Sequence, residues 1–312
     1  MSSLGWFVGG PLVYFAVALF IIKTALLVKK YLDMPRHIRW DLYPVPHNGD
    51  QGSKYQKVDF AQMKHHSSFM HELWDMGQEI LFIKKAYINN PKIWFGSFPL
   101  HLGLYLGITW LLLLINGAFL QLNGGFVGPN SNSAFLSIIY YSTLFTGVGS
   151  FVSGLCGSLV LLFQRLTDEG MVFMSDVISY LNLAVMIMLF GTGLAAWLMV
   201  DPTFAEMRYQ MSSLISFRFV PVKENLVMMH MLTLCTFLIY LPFSRMMHFV
   251  GKYFFYHNIM WDDEAMKKNS AMENDFASYL QYKTTWSAPH IRKGESWGDQ
   301  VGKGSPQEGG KK

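Results

Sequence analysis

Long apolar stretches of the chain lie at roughly residues 6–28, 98–121, 134–163, 176–200 and 226–250. Each is long enough to cross a hydrocarbon core of about 30 Å, which takes about 20 helical residues. Only helices and closed barrels satisfy their backbone in lipid, and runs of this length are helices. A single run of this kind also suits a buried helix of a soluble protein; five in one chain do not. The pattern therefore predicts an all-α integral membrane protein with five transmembrane helices.

The polar stretches divide the rest. Residues 1–28 form the first transmembrane helix, and 29–97 form the largest loop. That loop opens on "MPRHIRWDLYPVPHNGDQGSKY", where Pro and Gly mark irregular backbone. It continues with Phe69, Leu73, Met76, Ile80 and Ile83 at helical spacing, an amphipathic helix suited to a membrane surface or a partner. Residues 98–250 hold the other four helices as one bundle, and 251–312 form a tail. In the tail Trp286 and Trp297 stand among polar residues. They read as anchors for a docked subunit or as contacts with the 29–97 loop. The Gly- and Lys-rich end reads as disordered. There is no internal repeat.

Charge then orients the helices. Residues 29–93 hold ten Lys and Arg, the 164–175 loop holds Arg165, and Arg245 to the end holds ten more. The other side has Arg208, Arg218 and Lys223. By the excess of positive charge on cytoplasmic loops, the N-terminus lies outside and the C-terminus in the cytoplasm. No positive residue precedes the first run and Lys29 and Lys30 follow it, so it is expected to remain as a helix and not as a cleaved signal. The net charge of +4 reflects this topology and does not call for nucleic acid. Cys156 and Cys235 form no CxxC pattern. They imply neither a disulfide framework nor an iron–sulfur cluster held by this chain alone, and read as small apolar core residues.

Of ten histidines, His101, His230 and His248 fall in the apolar runs. Ionisable groups inside a membrane are costly and usually functional. His101 and His248 share a depth near the inner face, and His230 lies near the outer end of the fifth helix. Eighteen residues separate His230 from His248. On a continuous helix that is about 27 Å, and five turns, so both imidazoles would point the same way. They cannot share one small metal, but they can mark two stations on an electron path. Zinc wants further N or S ligands at the depth of His101 and His248. An iron held axially by those two imidazoles in a haem is the better chemistry. Arg245 lies one turn before His248, where a cation meets haem propionates or simply anchors the inner face. Pro242 is expected to loosen the helix just before this site. Gly103, Gly107, Gly147, Gly149, Gly154 and Gly157 offer small surfaces, mostly for helix packing.

The stretch "HMLTLCTFLIYLPFSRMMHF", His230 to Phe249, resembles the last helix of the cytochrome b (gamma) subunits of respiratory nitrate reductases, and "LHLGLYLG" resembles their other ligand helix. The "PRHIRWDLYPVPH", "KYFFYHNIMWDD" and "WSAPHI" segments are most similar to cytochrome b subunits of transmembrane redox complexes of sulfate-respiring bacteria. The resemblance implies a five-helix b-type cytochrome in the bacterial cytoplasmic (inner) membrane. It carries electrons between menaquinone and a cytoplasmic iron–sulfur protein of heterodisulfide-reductase-like type, with a periplasmic multihaem cytochrome c as a further partner. His101 and His248 match the two ligands of the inner haem b, and His230 matches a ligand of an outer one. The family's second helix-two histidine is replaced here by Leu111. His230 is then left to three roles: a quinone contact, an outer haem ligand, or a structural residue. As an outer ligand it would act alone or with a methionine such as Met186, Met188, Met199, Met228 or Met229. One haem b is expected, or two if His230 also ligates.

The haem carries the redox chemistry in this reading, and the protein supplies ligands, depth and dielectric. A transporter would show repeats or broken helices with several intramembrane charges. This chain shows no repeat, and Lys23 can reach the inner face by extension. A cofactor-free membrane anchor would suit the loop and tail but leaves the matched depth of His101 and His248 without a purpose.

Overall fold

The computed structural model describes residues 3–34, 58–59, 62, 69–255 and 267–301. The segment from Pro35 to His47, most of "KYFFYHNIMWDD" and the Gly/Lys-rich end lie outside these. The described chain is helical apart from turns and two isolated bridges. It divides into two compact units, residues 1–28 with 76–250, and residues 29–75 with 251–312.

Five helices are long and apolar enough to cross a membrane: Ser3–Leu32, Pro91–Leu122, Ala134–Thr167, Val177–Met199 and Asn225–Phe243. The first is two pieces, α1 (Ser3–Gly9) and α2 (Pro11–Leu32). A short α3 (Phe69–Phe82) and α4 (Lys84–Asn89) precede α5 (Pro91–Leu122). The amphipathic pattern was expected to run on through Ile83, but Ile83 takes a left-handed φ of 52° and ends α3. That conformation is rare for a β-branched residue. The side chain of Glu79 accepts the Lys85 amide at 2.8 Å across this break. Asn90 then caps α5 by accepting from the Ile93 amide, with Pro91 at the first helical position, so the helix starts seven residues before the apolar run.

The bundle is built on α5 and α6 (Ala134–Thr167), which touch backbone to backbone. A Cβ on Gly103 would lie 2.5 Å from the Cα of Gly154, and one on Gly157 would lie 2.3 Å from the Leu100 nitrogen. Only glycine allows this approach. In lipid, where apolar side chains gain nothing by leaving water, such close packing and interhelical hydrogen bonds hold helices together. Ser150 and Ser153 supply the bonds, donating to the carbonyls of Gly103 and Pro99 at 2.7 and 2.8 Å. At one end of this pair Gln164 donates to the Lys92 carbonyl, and Lys92 meets Asp168 at 2.5 Å.

After α7 (Glu169–Phe173), α8 (Val177–Met199) packs on α6, where Gly193 admits the ring of Phe151. A short helix unforeseen in the sequence, α9 (Ala205–Ile215), follows it and buries Arg208 beside Gly117 of α5. Asp201 accepts the Met207 amide at 2.9 Å to start α9. The first helix meets the end of α9 and the residues just after it: Tyr14 donates to the Leu214 carbonyl at 2.5 Å and stacks on Phe217. Lys23 sits over the Phe243 ring at 5.2 Å.

The last span is not one continuous helix to residue 250. It is α10 (Asn225–Tyr240), a 3₁₀ turn at Leu241–Phe243, Ser244 in extended backbone, a second 3₁₀ turn at Arg245–Met247, and α11 (His248–Phe255). Pro242 removes a helical donor and crowds the preceding turn. Ser244 closes the gap by donating to the Leu241 carbonyl and accepting the Met246 amide. The expected five-turn phase between His230 and His248 therefore does not carry across the break.

In the second unit the tail forms α12 (Ala271–Tyr279), capped by Ser270, and α13 (Trp297–Val301). Lys283 and Ser296 bridge between them, and the rings of Trp286 and Trp297 pair at 6.5 Å.

The backbone contact yields a prediction. Gly157→Ala forces α5 and α6 apart and is expected to destabilise the detergent-solubilised chain by about 1–3 kcal/mol or more. Gly77→Ala in α3, where a Cβ meets nothing within 4 Å, is expected to be neutral or slightly stabilising. Thermal melting of the two variants checks this.

Candidate functional site

His101 lies in the third turn of α5 and His248 opens α11. Their rings face one another with centroids 6.1 Å apart and planes at 70°. Each imidazole is oriented by a backbone carbonyl on its own strand of chain. His101 Nδ1 bonds the Ser97 carbonyl at 2.7 Å, and His248 Nδ1 bonds the Arg245 carbonyl at 3.2 Å. A carbonyl can only accept, so each Nδ1 carries the proton and each Nε2 carries the lone pair. This is the usual way a metal-binding imidazole is held.

The spacing suits an iron between them. A metal–imidazole bond of about 2 Å on each side, with a ring centre roughly 1 Å beyond each nitrogen, separates two ligand rings by about 6 Å. Among the described residues no group of three or more His, Cys, Asp or Glu can hold a metal ion. Two imidazoles at this spacing are the protein ligands that a haem iron would use. His101 and His248 fit a haem.

Arg245 is exposed, and its guanidinium is paired with Asp176. Asp176 caps α8, accepting the Ser179 amide at 2.9 Å and hydroxyl at 2.7 Å. The expected contact of Arg245 with propionates thus meets a resident carboxylate. Sequence reading passed over Asp176, although an Asp just before an apolar run with Ser three residues on is a helix-start signal.

His230 lies in α10, apart from this pair, and is 2% exposed. Its Nδ1 lies 3.3 Å from the Thr192 hydroxyl, which in turn meets Thr233 at 2.9 Å. Its Nε2 is buried without a hydrogen-bond partner, as is the indole nitrogen of Trp110. Phe151 and Trp110 stand 5.2 and 6.1 Å from the imidazole, and Phe204 closes behind both. These rings pack against the imidazole. Met188, Met199 and Met229 are exposed, whereas Met186 is buried. The aromatic wall left no sequence signal, since Trp110, Phe151 and Phe204 come from three distant segments.

Two carboxyls at the connection between α6 and α8 titrate low. The Lys92 ammonium and the Met171 amide hold Asp168 below the usual carboxylate range; the Ser179 hydroxyl and amide, with Arg245, do the same for Asp176. A carboxyl depressed in the folded chain stabilises it above its unfolded pKa of about 4, and that stability is lost as pH falls through the folded value. The melting-temperature gap between wild type and an Asp168→Asn/Asp176→Asn variant is expected to be constant from about pH 7 to 5 and to close in more acid solution. No family model, curated protein or solved structure matches this chain.

Proposed function

We propose that the chain is the b-type cytochrome subunit of a respiratory complex in the bacterial inner membrane. It passes electrons between a membrane quinone of the menaquinone type and an iron–sulfur partner docked on the cytoplasmic side. The observation that carries this reading is the pair of facing imidazoles, His101 and His248, each pinned through Nδ1 at a spacing that suits one iron. Five membrane-length helices and the likeness of the His230–Phe249 segment to nitrate reductase gamma subunits support it. The excess of Lys and Arg on one side favours an outside N-terminus, which puts the imidazole pair near the cytoplasmic face.

When bound, the haem supplies a one-electron couple. The chain's residues do the rest. His101 and His248 would hold the iron from two helices, and the Ser97 and Arg245 carbonyls keep both rings in the tautomer that leaves Nε2 able to ligate. At the other end of the bundle, His230 is the candidate quinone contact, reached only when the rings of Phe151 and Trp110 move aside. The Thr192 hydroxyl donates to the Met188 carbonyl, so Nδ1 donates to Thr192 and Nε2 carries the lone pair.

Pyridine haemochrome on the purified chain is expected to give one haem b per polypeptide, lost in His101→Ala and in His248→Ala. A wild type that assembles properly without haem overturns the cytochrome reading. His230→Leu is expected to keep its haem and its reduction by dithionite, while reduction by a menaquinol analogue falls by about 10²-fold, as for loss of a general base. Loss of haem in His230→Leu would return the outer-haem role to that residue.

A further inference from the structure

The inner imidazole pair has a supporting residue outside the motif that suggested it. Arg245 touches the site twice. Its carbonyl takes the Nδ1 proton of His248, and its guanidinium is held by Asp176 across the α8 terminus. The backbone cannot hold Arg245 through α10, because the helical ladder stops at Tyr240 and Ser244 is extended. The turn at Arg245–Met247 is closed by backbone bonds from Met247 to the Ser244 carbonyl and from His248 to the Arg245 carbonyl, and by the Ser244 side chain just before it; Asp176 adds a tether from the start of the neighbouring helix. Asp176 is itself fixed, since its other carboxylate oxygen accepts twice from Ser179. A chain of contacts thus runs from the start of α8, through Arg245, to the orientation of an imidazole.

We propose that Asp176 is a positioning residue for His248, acting through Arg245. The inference rests on the haem reading above. Arg245 is exposed and Asp176 is partly so, which screens the pair and keeps its contribution to overall stability small. Its effect is on geometry and on the local charge. A carboxylate that occupies Arg245 holds the guanidinium at the α8 terminus and offsets its positive charge, which would otherwise favour the reduced haem. Lys92–Asp168 is the natural comparison, an ion pair at the same connection that reaches neither imidazole.

The test uses Asp176→Asn in the full purified chain. Asparagine remains a good helix cap, so α8 keeps its start while the ion pair is lost. Three quantities are read: haem per polypeptide, the haem midpoint potential, and the low-spin ferric EPR signal, whose anisotropy follows the angle between the two imidazole planes. Asp176→Asn is expected to retain haem, raise the midpoint and change the anisotropy, whereas Asp168→Asn matches wild type in all three. Asp176→Glu, which restores the charge, is expected to move both signals back. Placed on Arg245→Gln, Asp176→Asn is expected to add no further change, because its action passes through Arg245. A haem-loaded Asp176→Asn with wild-type potential and EPR overturns the positioning role and leaves the cytochrome reading intact. An equal shift on the Arg245→Gln background also overturns it, because Asp176 would then act only as a charge. A wild type without haem instead overturns the cytochrome reading itself, and this inference falls with it.

Discussion

The backbone contact between α5 and α6 is the constraint on which the rest of the bundle depends. Gly103 against Gly154, and Gly157 against Leu100, bring two helix axes closer than any side chain would permit. Apolar side chains gain nothing by choosing one another over lipid tails, so this proximity and the hydroxyl bonds of Ser150 and Ser153 carry the association. His101 lies on the same stretch of α5, two residues from Gly103. The rigidity that packs the helices also fixes the depth and direction of one imidazole.

The second imidazole is placed by the opposite device, a break. Had α10 run on as a helix, His248 would have kept the phase set by His230. Pro242 and Ser244 cut that phase and let α11 start in a new direction. A broken segment needs other restraints, and here they come from Ser244 within the turn and from Asp176 across it. The break frees His248 to meet His101, and the tethers hold it there.

At the far end of the bundle the design differs. His230 is sealed among Phe151, Trp110 and Phe204, with one nitrogen on a threonine hydroxyl and the other unpaired. Leaving a buried nitrogen unpaired costs roughly 1–3 kcal/mol, and the indole nitrogen of Trp110 beside it is unpaired as well. The nearby Arg208, almost wholly buried beside Gly117, closes that end by reaching toward the Val127 and Thr203 carbonyls.

The five long helices were legible in the sequence because the bilayer imposes a length and a polarity on each one separately. His101, His230 and His248 were legible as candidates for the same reason: a polar group in an apolar run stands out without any knowledge of its neighbours. Helix packing through Gly103, Gly154 and Gly157 was readable as a type of contact but not as particular pairs. What remained hidden depended on juxtaposition. The Ile83 kink, the extent of α9, the aromatic wall around His230 and the Asp176–Arg245 pair each join residues whose local patterns say nothing of one another. By itself the sequence determined which segments are long membrane helices, which of their side chains are chemically out of place, and that His101 and His248 share a depth. Only the tertiary structure decided how those two imidazoles meet, because the break at Pro242 and Ser244 is not encoded in spacing along a helix.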